Sequence, residues 1–168
     1  MKKSAPARLT RKDLLRSPAS FLALGFGAGL APVAPGTAGT VPGVVLCVIL
    51  SALSNSLYIA ITLLVVLAGI WICDTASREL GVHDHGGIVW DEIAGFLVTM
   101  IAIPITVKTL IAGFILFRLF DIWKPWPVSW LDKHVGGGAG IMVDDIVAGV
   151  FACLLLHGLL IVFPVFGV

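Results

Sequence analysis

Charge is scarce in this chain. Asp, Glu, Lys and Arg make up 12% of its 168 residues, where a soluble domain carries about 25%. Hydrophobic residues reach 58% and mean hydropathy is +1.05, a composition that reads as an integral membrane protein. A net charge of +1 gives no reason to invoke nucleic acid. Paired cysteines are missing too. Cys47, Cys73 and Cys153 stand alone in apolar runs with no CxxC spacing, so they read as small packing residues and carry no disulfide or zinc signal. With so few polar residues, the places where they gather become the informative feature.

The length fits one compact bundle. Five apolar segments can be read, at about 41–53, 57–73, 93–103, 107–123 and 146–163. A full crossing wants ~20 apolar residues. The first and third fall short, so their polar ends dip toward the headgroups or their flanking turns complete the crossing. The stretch "GFGAGLAPVAPGTAG" before the first segment is a poor ordinary helix and suits a re-entrant segment. The expected fold is therefore all-α: a polytopic transmembrane helical bundle of about five apolar helices, with short or re-entrant segments.

The turns "SNS" and "PIT" are tiny, and every long polar stretch falls on the other side of the apolar segments. So does every Lys and Arg except Lys108. The positive-inside rule makes that side cytoplasmic, with the N-terminus in and the C-terminus out. Trp71, Trp90, Trp123, Trp126 and Trp130 also fall near that boundary, as an aromatic belt would. Residues 1–19 read as a basic cytoplasmic arm resting on anionic lipid, since the following "FLALGFGAGLAP" is too short and glycine-rich for a signal-peptide core. Residues 20–168 form a single membrane-embedded domain.

Alternation brings the polar clusters to one face. In "GFGAGLAPVAPGTAGT" the glycines allow close backbone approach, and Thr37 and Thr40 offer hydroxyls. The stretch lacks the Lys of a phosphate-binding P-loop; a tightly packed turn and a phosphate cradle fit it equally. In "GVHDHGGIVWDEIAG", Asp91 and Glu92 open a helix, where negative charge suits the macrodipole. Capping explains one carboxylate but not both together with His83, Asp84 and His85. In "FRLFDIWKPWP", Arg118 and Asp121 are spaced i, i+3 beside hydrocarbon, and an Arg so placed more often marks a site than decorates a surface. The "KPWP" turn fixes Lys124 at the interface, or Lys124 simply snorkels. In "GGGAGIMVDDIVAG", a glycine run precedes Asp144 and Asp145 at the start of the last apolar segment. Gly149 follows Asp145 by one turn as Gly95 follows Asp91, so each acidic face can approach a neighbour closely.

The remaining polar residues read more plainly. Asp74 and Arg78 form an i, i+4 surface pair, Asp13 and Glu79 are solvated, and His157 packs within the last helix. Asp132, Lys133 and His134 belong to a solvated loop.

Two acidic pairs on one face supply oxygen ligands suited to a hard cation such as Mg²⁺. Together with two or three cations and glycine-rich loops, they suit phosphate chemistry at a membrane surface, with Arg118 as a bidentate clamp and Lys124 as a point charge. The residues alone leave hydrolysis and group transfer equally open.

The four blocks "GFGAGLAPVAPGTAGT", "GVHDHGGIVWDEIAG", "FRLFDIWKPWP" and "GGGAGIMVDDIVAG", in that order over residues 24–149, resemble the bacterial phosphatidylglycerophosphatase A family. The resemblance implies a Mg²⁺-dependent phosphatase domain at the cytoplasmic face of the inner membrane. It would convert phosphatidylglycerophosphate into phosphatidylglycerol and phosphate, with membrane lipids as its partners and no obligatory protein partner. It carries acidic roles to Asp84, Asp91, Glu92, Asp121, Asp144 and Asp145 and basic roles to Arg118 and Lys124. On that basis Asp91, Glu92, Asp144 and Asp145 are expected around the metal. Arg118, Lys124, Thr37 and Thr40 are expected on the phosphate, with His83, Asp84, His85, Asp91 and Asp121 as catalytic candidates. A metal-activated water is the preferred nucleophile, and an aspartyl-phosphate through Asp84 or Asp91 is the rival.

The D-x-D-x-T/V run of haloacid-dehalogenase phosphatases is absent. So are the K-x₆-R-P block of type 2 lipid phosphatases and the D-G-x₂-A-R block of CDP-alcohol phosphatidyltransferases. A small ion-coupled transporter or channel using interfacial carboxylates is the alternative reading. A structural adaptor, which would leave the carboxylates dispensable, is the third.

Overall fold

The structure, a computed structural model, describes residues 9–83 and 85–163, apart from the side chains of Asp132 and Lys133. The described residues are helical throughout, with no strand. Two short helices, α1 (Arg11–Leu14) and α2 (Pro18–Ala23), lead through a 3₁₀ segment (Gly25–Leu30) into α3 (Pro35–Leu50) and α4 (Asn55–Leu80). Then follow α5 (Trp90–Thr99), α6 (Val107–Trp123), α7 (Val128–His134) and α8 (Gly137–Val162).

The five apolar segments become α3, α4, α5, α6 and α8, with bounds the hydropathy alone misplaces. Among the described residues, two helices are long and apolar enough to cross a bilayer, α4 and α8. Only 28% of each apolar window is fully buried; α4 keeps exposed Leu63, Leu64, Leu67 and Trp71, as a lipid-facing surface would, while α8 packs against α4, α5, α6 and α7. With 10 residues, α5 rises only about 15 Å, half a hydrocarbon core. It sits instead at the centre, packed against α3, α4, α6 and α8, with every residue buried except the half-buried Glu92.

Local chemistry sets the ends. Ser17 caps α2 by accepting the Ser20 N–H at 3.0 Å, and Ser54 caps α4 in the same manner. Pro35 opens α3 at a position where its missing N–H costs nothing. Gly81 closes α4 in the left-handed region, φ 68°. The glycine run before Asp144 is helical from Gly137 onward. Its small residues admit α4: a Cβ on Gly138 would fall on the Ile70 carbonyl oxygen. The last helix thus starts well before the segment expected from hydropathy.

Two expectations change. Trp90 is not interfacial; it is buried and donates its indole N–H to the Val65 carbonyl at 3.1 Å. Glu79 is not simply solvated: its Oε2 accepts from Ser17 Oγ at 2.8 Å and Ser20 Oγ at 2.6 Å. Because Arg16 also bonds the Glu79 carbonyl, residues 16–20 are tied to the end of α4.

Candidate active site

One helix crossing builds the centre of the site. A Cβ on Gly149 of α8 would fall on the Gly95 carbonyl oxygen of α5, and one on Gly95 would lie 2.7 Å from the Asp145 carbonyl oxygen. Only glycine at both positions lets the backbones touch. The contact sets Asp145 beside Asp91 and Glu92, one turn N-terminal to Gly95. Ligand atoms of Asp91, Glu92 and Asp145 all lie within 4.8 Å of one another.

The two acidic pairs are not equivalent. Asp91 and Glu92 occupy the first turn of α5, where Asp91 Oδ1 accepts the Glu92 N–H at 3.1 Å. Asp144 and Asp145 lie two turns inside α8 and are buried, so capping accounts for neither. Asp145 joins the three-carboxylate group and lies within side-chain hydrogen-bonding reach of Asp121. Asp144 turns to Lys124, with Nζ–Oδ2 at 2.6 Å. Lys124 reaches it from the end of α6, where its own backbone adopts φ 44°.

Arg118 completes the cluster. Its Nη1 stands 2.5 Å from Asp121 Oδ2 and 3.7 Å from Glu92 Oε1. Asp121 thus takes up Nη1, whereas Nε is buried with no hydrogen-bond partner among the described residues and Glu92 Oε2 accepts no hydrogen bond among them. Gly36, in the first turn of α3, closes the other side. A Cβ there would collide with Glu92 Oε1 and lie 3.2 Å from Arg118 Nη1 and Nη2.

Five carboxylates and two cations thus share a small buried volume. Negative charge in that excess is costly away from water without a compensating cation. Hard oxygen donors on three sides, one of them an orphaned Glu92 oxygen, fit a small divalent ion. The Arg118 guanidinium and the helix N-terminus at Gly36 fit an oxyanion beside it.

Other expected residues lie farther out. Thr37 shares an apolar groove with Arg118. Thr40 is fully buried and donates its hydroxyl proton to the Gly36 carbonyl at 2.9 Å, a bond within its own helix. His83 Nε2 accepts the Gly137 N–H at 2.9 Å, which links the loop before α5 to the start of α8. His85 Nδ1 accepts the Gly87 N–H at 3.1 Å. Asp84 lies outside the described residues. Gly36 is the participant that a search for reactive side chains overlooks; the Pro35 that marks a helix start is the signal that points to it. A separate cavity of about 280 Å³ adjoins the opposite turns, lined by Leu50, Asn55, Tyr58 and Pro104 among others. No Asp, Glu, Lys, Arg or His lines it, so it is remote from the chemistry.

The sequence profile of phosphatidylglycerophosphatase A matches residues 21–160. The chain belongs to that family. It is 42% identical over 144 residues to a phosphatidylglycerophosphatase A of Escherichia coli, covering 85% of this chain and 84% of that protein. The Haemophilus influenzae phosphatidylglycerophosphatase A is 41% identical over 151 residues, covering 89% and 93%. A Bacteroides thetaiotaomicron protein named a putative phosphatidylinositol-3-phosphatase is 34% identical over 144 residues, covering 81% and 89%. No solved structure matches the chain. The phosphatidylglycerophosphatase A match spans all four polar blocks, so the crossing at Gly95 and Gly149 lies inside the family region.

Proposed function

We propose that this chain is a lipid phosphatase that hydrolyses the terminal phosphomonoester of phosphatidylglycerophosphate to phosphatidylglycerol and inorganic phosphate. Family membership supports the substrate. The observation that carries the chemistry is the meeting of Asp91, Glu92 and Asp145 beside Arg118, which Asp121 holds in place.

Arg118 takes the phosphate, its planar fork matching two oxygens, while Asp121 holds the guanidinium in place. The first-turn N–H groups of α3 present positive dipole to the same anion, and the missing side chain of Gly36 lets Glu92 and Arg118 come close to that helix end. Asp91, Glu92 and Asp145 would hold Mg²⁺, with Asp144 kept on Lys124 beside them. When bound, the cation supplies charge neutralisation on phosphate oxygens and polarises water. Attack by water forms one P–O bond as the bond to the glycerol oxygen breaks, and that oxygen takes up a proton. His83 and His85, on the loop before α5, are the candidates to move it, as is Asp84, which falls between them in sequence. In each part the orienting groups are fixed before the substrate arrives, which is where electrostatic catalysis is strongest.

The wider reading is a multi-pass protein of the bacterial inner membrane with its site on the cytoplasmic face and its N-terminus inside, supported by the distribution of Lys and Arg. In it α4 and α8 cross directly, α3 and α6 cross with the help of their flanking turns, and the half-length α5 is continued by residues 100–106 to the side of the "SNS" turn. Phosphate release tests the function. Purified chain in mixed micelles should release phosphate from phosphatidylglycerophosphate faster than from phosphatidic or lysophosphatidic acid, and EDTA should stop it. Equal release from all three, or none from phosphatidylglycerophosphate, contradicts the assignment.

A further inference from the structure

We propose that the groove beside Arg118 on α6 seats an acyl chain of the substrate lipid, so that adjacent turns of one helix read the headgroup and the tail. The inference rests on the phosphatase reading above and deepens it.

Phe114, Ile115, Leu119, Ile122 and Trp123 line this groove with Arg118 and Thr37; it is an open surface groove of about 640 Å³. Their spacing places them on a single face of the helix. Ile115 is 59% exposed and Leu119 50%, so no element among the described residues covers the apolar wall. A face that only met bulk lipid would gain nothing from Arg118, whose placement near hydrocarbon is costly. Yet Arg118 forms part of this wall, and the same side chain pairs with Asp121 and faces Glu92 at the carboxylate cluster. The occupant that satisfies both parts joins hydrocarbon to an anion. The groove is continuous with the carboxylate cluster through Arg118, and Phe114 and Ile115 lie one turn from it, toward the "PIT" end. A tail leaving a phosphate on Arg118 therefore runs along Ile115 and Phe114, away from the polar loops.

Photolabelling tests this without turnover. The full chain is reconstituted in phosphatidylcholine vesicles with a phosphatidic acid that carries a diazirine midway along one acyl chain. After illumination, labelled positions are mapped by mass spectrometry. The expected label falls on the 114–119 stretch, unlabelled phosphatidic acid competes about tenfold better than added phosphatidylcholine, and Arg118→Ala removes that preference. Label spread evenly over the outward faces of α4 and α8, or competed equally by both lipids, overturns the proposal.

A second arm reads chain length. Ile115→Trp and, separately, Leu119→Phe should lower kcat/KM for a dipalmitoyl substrate relative to a dihexanoyl one by about tenfold. An unchanged ratio in both variants overturns the groove assignment. Selective label on α6 in a protein that releases no phosphate would instead reject the phosphatase reading and leave the lipid site standing.

Discussion

Gly95 and Gly149 meet without side chains between them, the Gly149 Cα facing the Gly95 carbonyl across the α5–α8 crossing. That contact positions the carboxylates, because Asp91 and Asp145 each lie one turn before the glycine of their own helix. Substituting Gly149→Val should push the helices apart. Overpacking of this kind costs about 1–3 kcal/mol, so thermal unfolding in detergent should move down, and phosphate release should fall further than stability alone predicts. Wild-type turnover in a folded Gly149→Val protein would separate the crossing from the site.

Arg118→Lys keeps the charge but loses the fork. With Asp121 and Glu92 still present, the fold should survive. Turnover should drop by about 10²-fold, the usual scale for one transition-state-stabilising group. Near-normal kcat in this variant would show that a point charge suffices.

The split between Asp144 and Asp145 predicts two different phenotypes. Asp145→Asn, like Asp91→Asn, should raise the Mg²⁺ concentration needed for half-maximal activity. Asp144→Asn should act through Lys124, which it holds at 2.6 Å. In a double-mutant cycle with Lys124→Met, the losses from Asp144→Asn and Lys124→Met should therefore be strongly non-additive. Additive losses would mean that the pair does not work as a unit.

Glu79 ties residues 16–20 to α4 through Ser17 and Ser20. Glu79→Ala should lower the melting temperature and leave kcat unchanged. A loss of turnover at constant stability would place this contact in the reaction.

Much of the site is legible in the sequence. Apolar segments joined by the "SNS" and "PIT" turns force the polar stretches to one end, and a glycine one turn after each acidic pair announces a close crossing. The division of labour between Asp144 and Asp145 is not legible. Adjacent residues on a helix point about 100° apart, and which of them meets α5 depends on the rotation of α8. Nor does hydropathy find the start of that helix, because a glycine run looks like a loop until Ile70 and Asp74 of α4 pack against it. Thr40 illustrates the opposite error. Its hydroxyl suggests a phosphate contact, but inside a helix the carbonyl four residues earlier claims the proton.

The most direct measurement is Mn²⁺ binding, followed by electron paramagnetic resonance, to the purified chain and to variants on each helix. A shared ion predicts that Asp91→Asn on α5 and Asp145→Asn on α8 each weaken binding at the same tight site, while Thr37→Ala leaves it intact. Tight Mn²⁺ binding that survives unchanged in either aspartate variant would contradict a cation held jointly by the two helices.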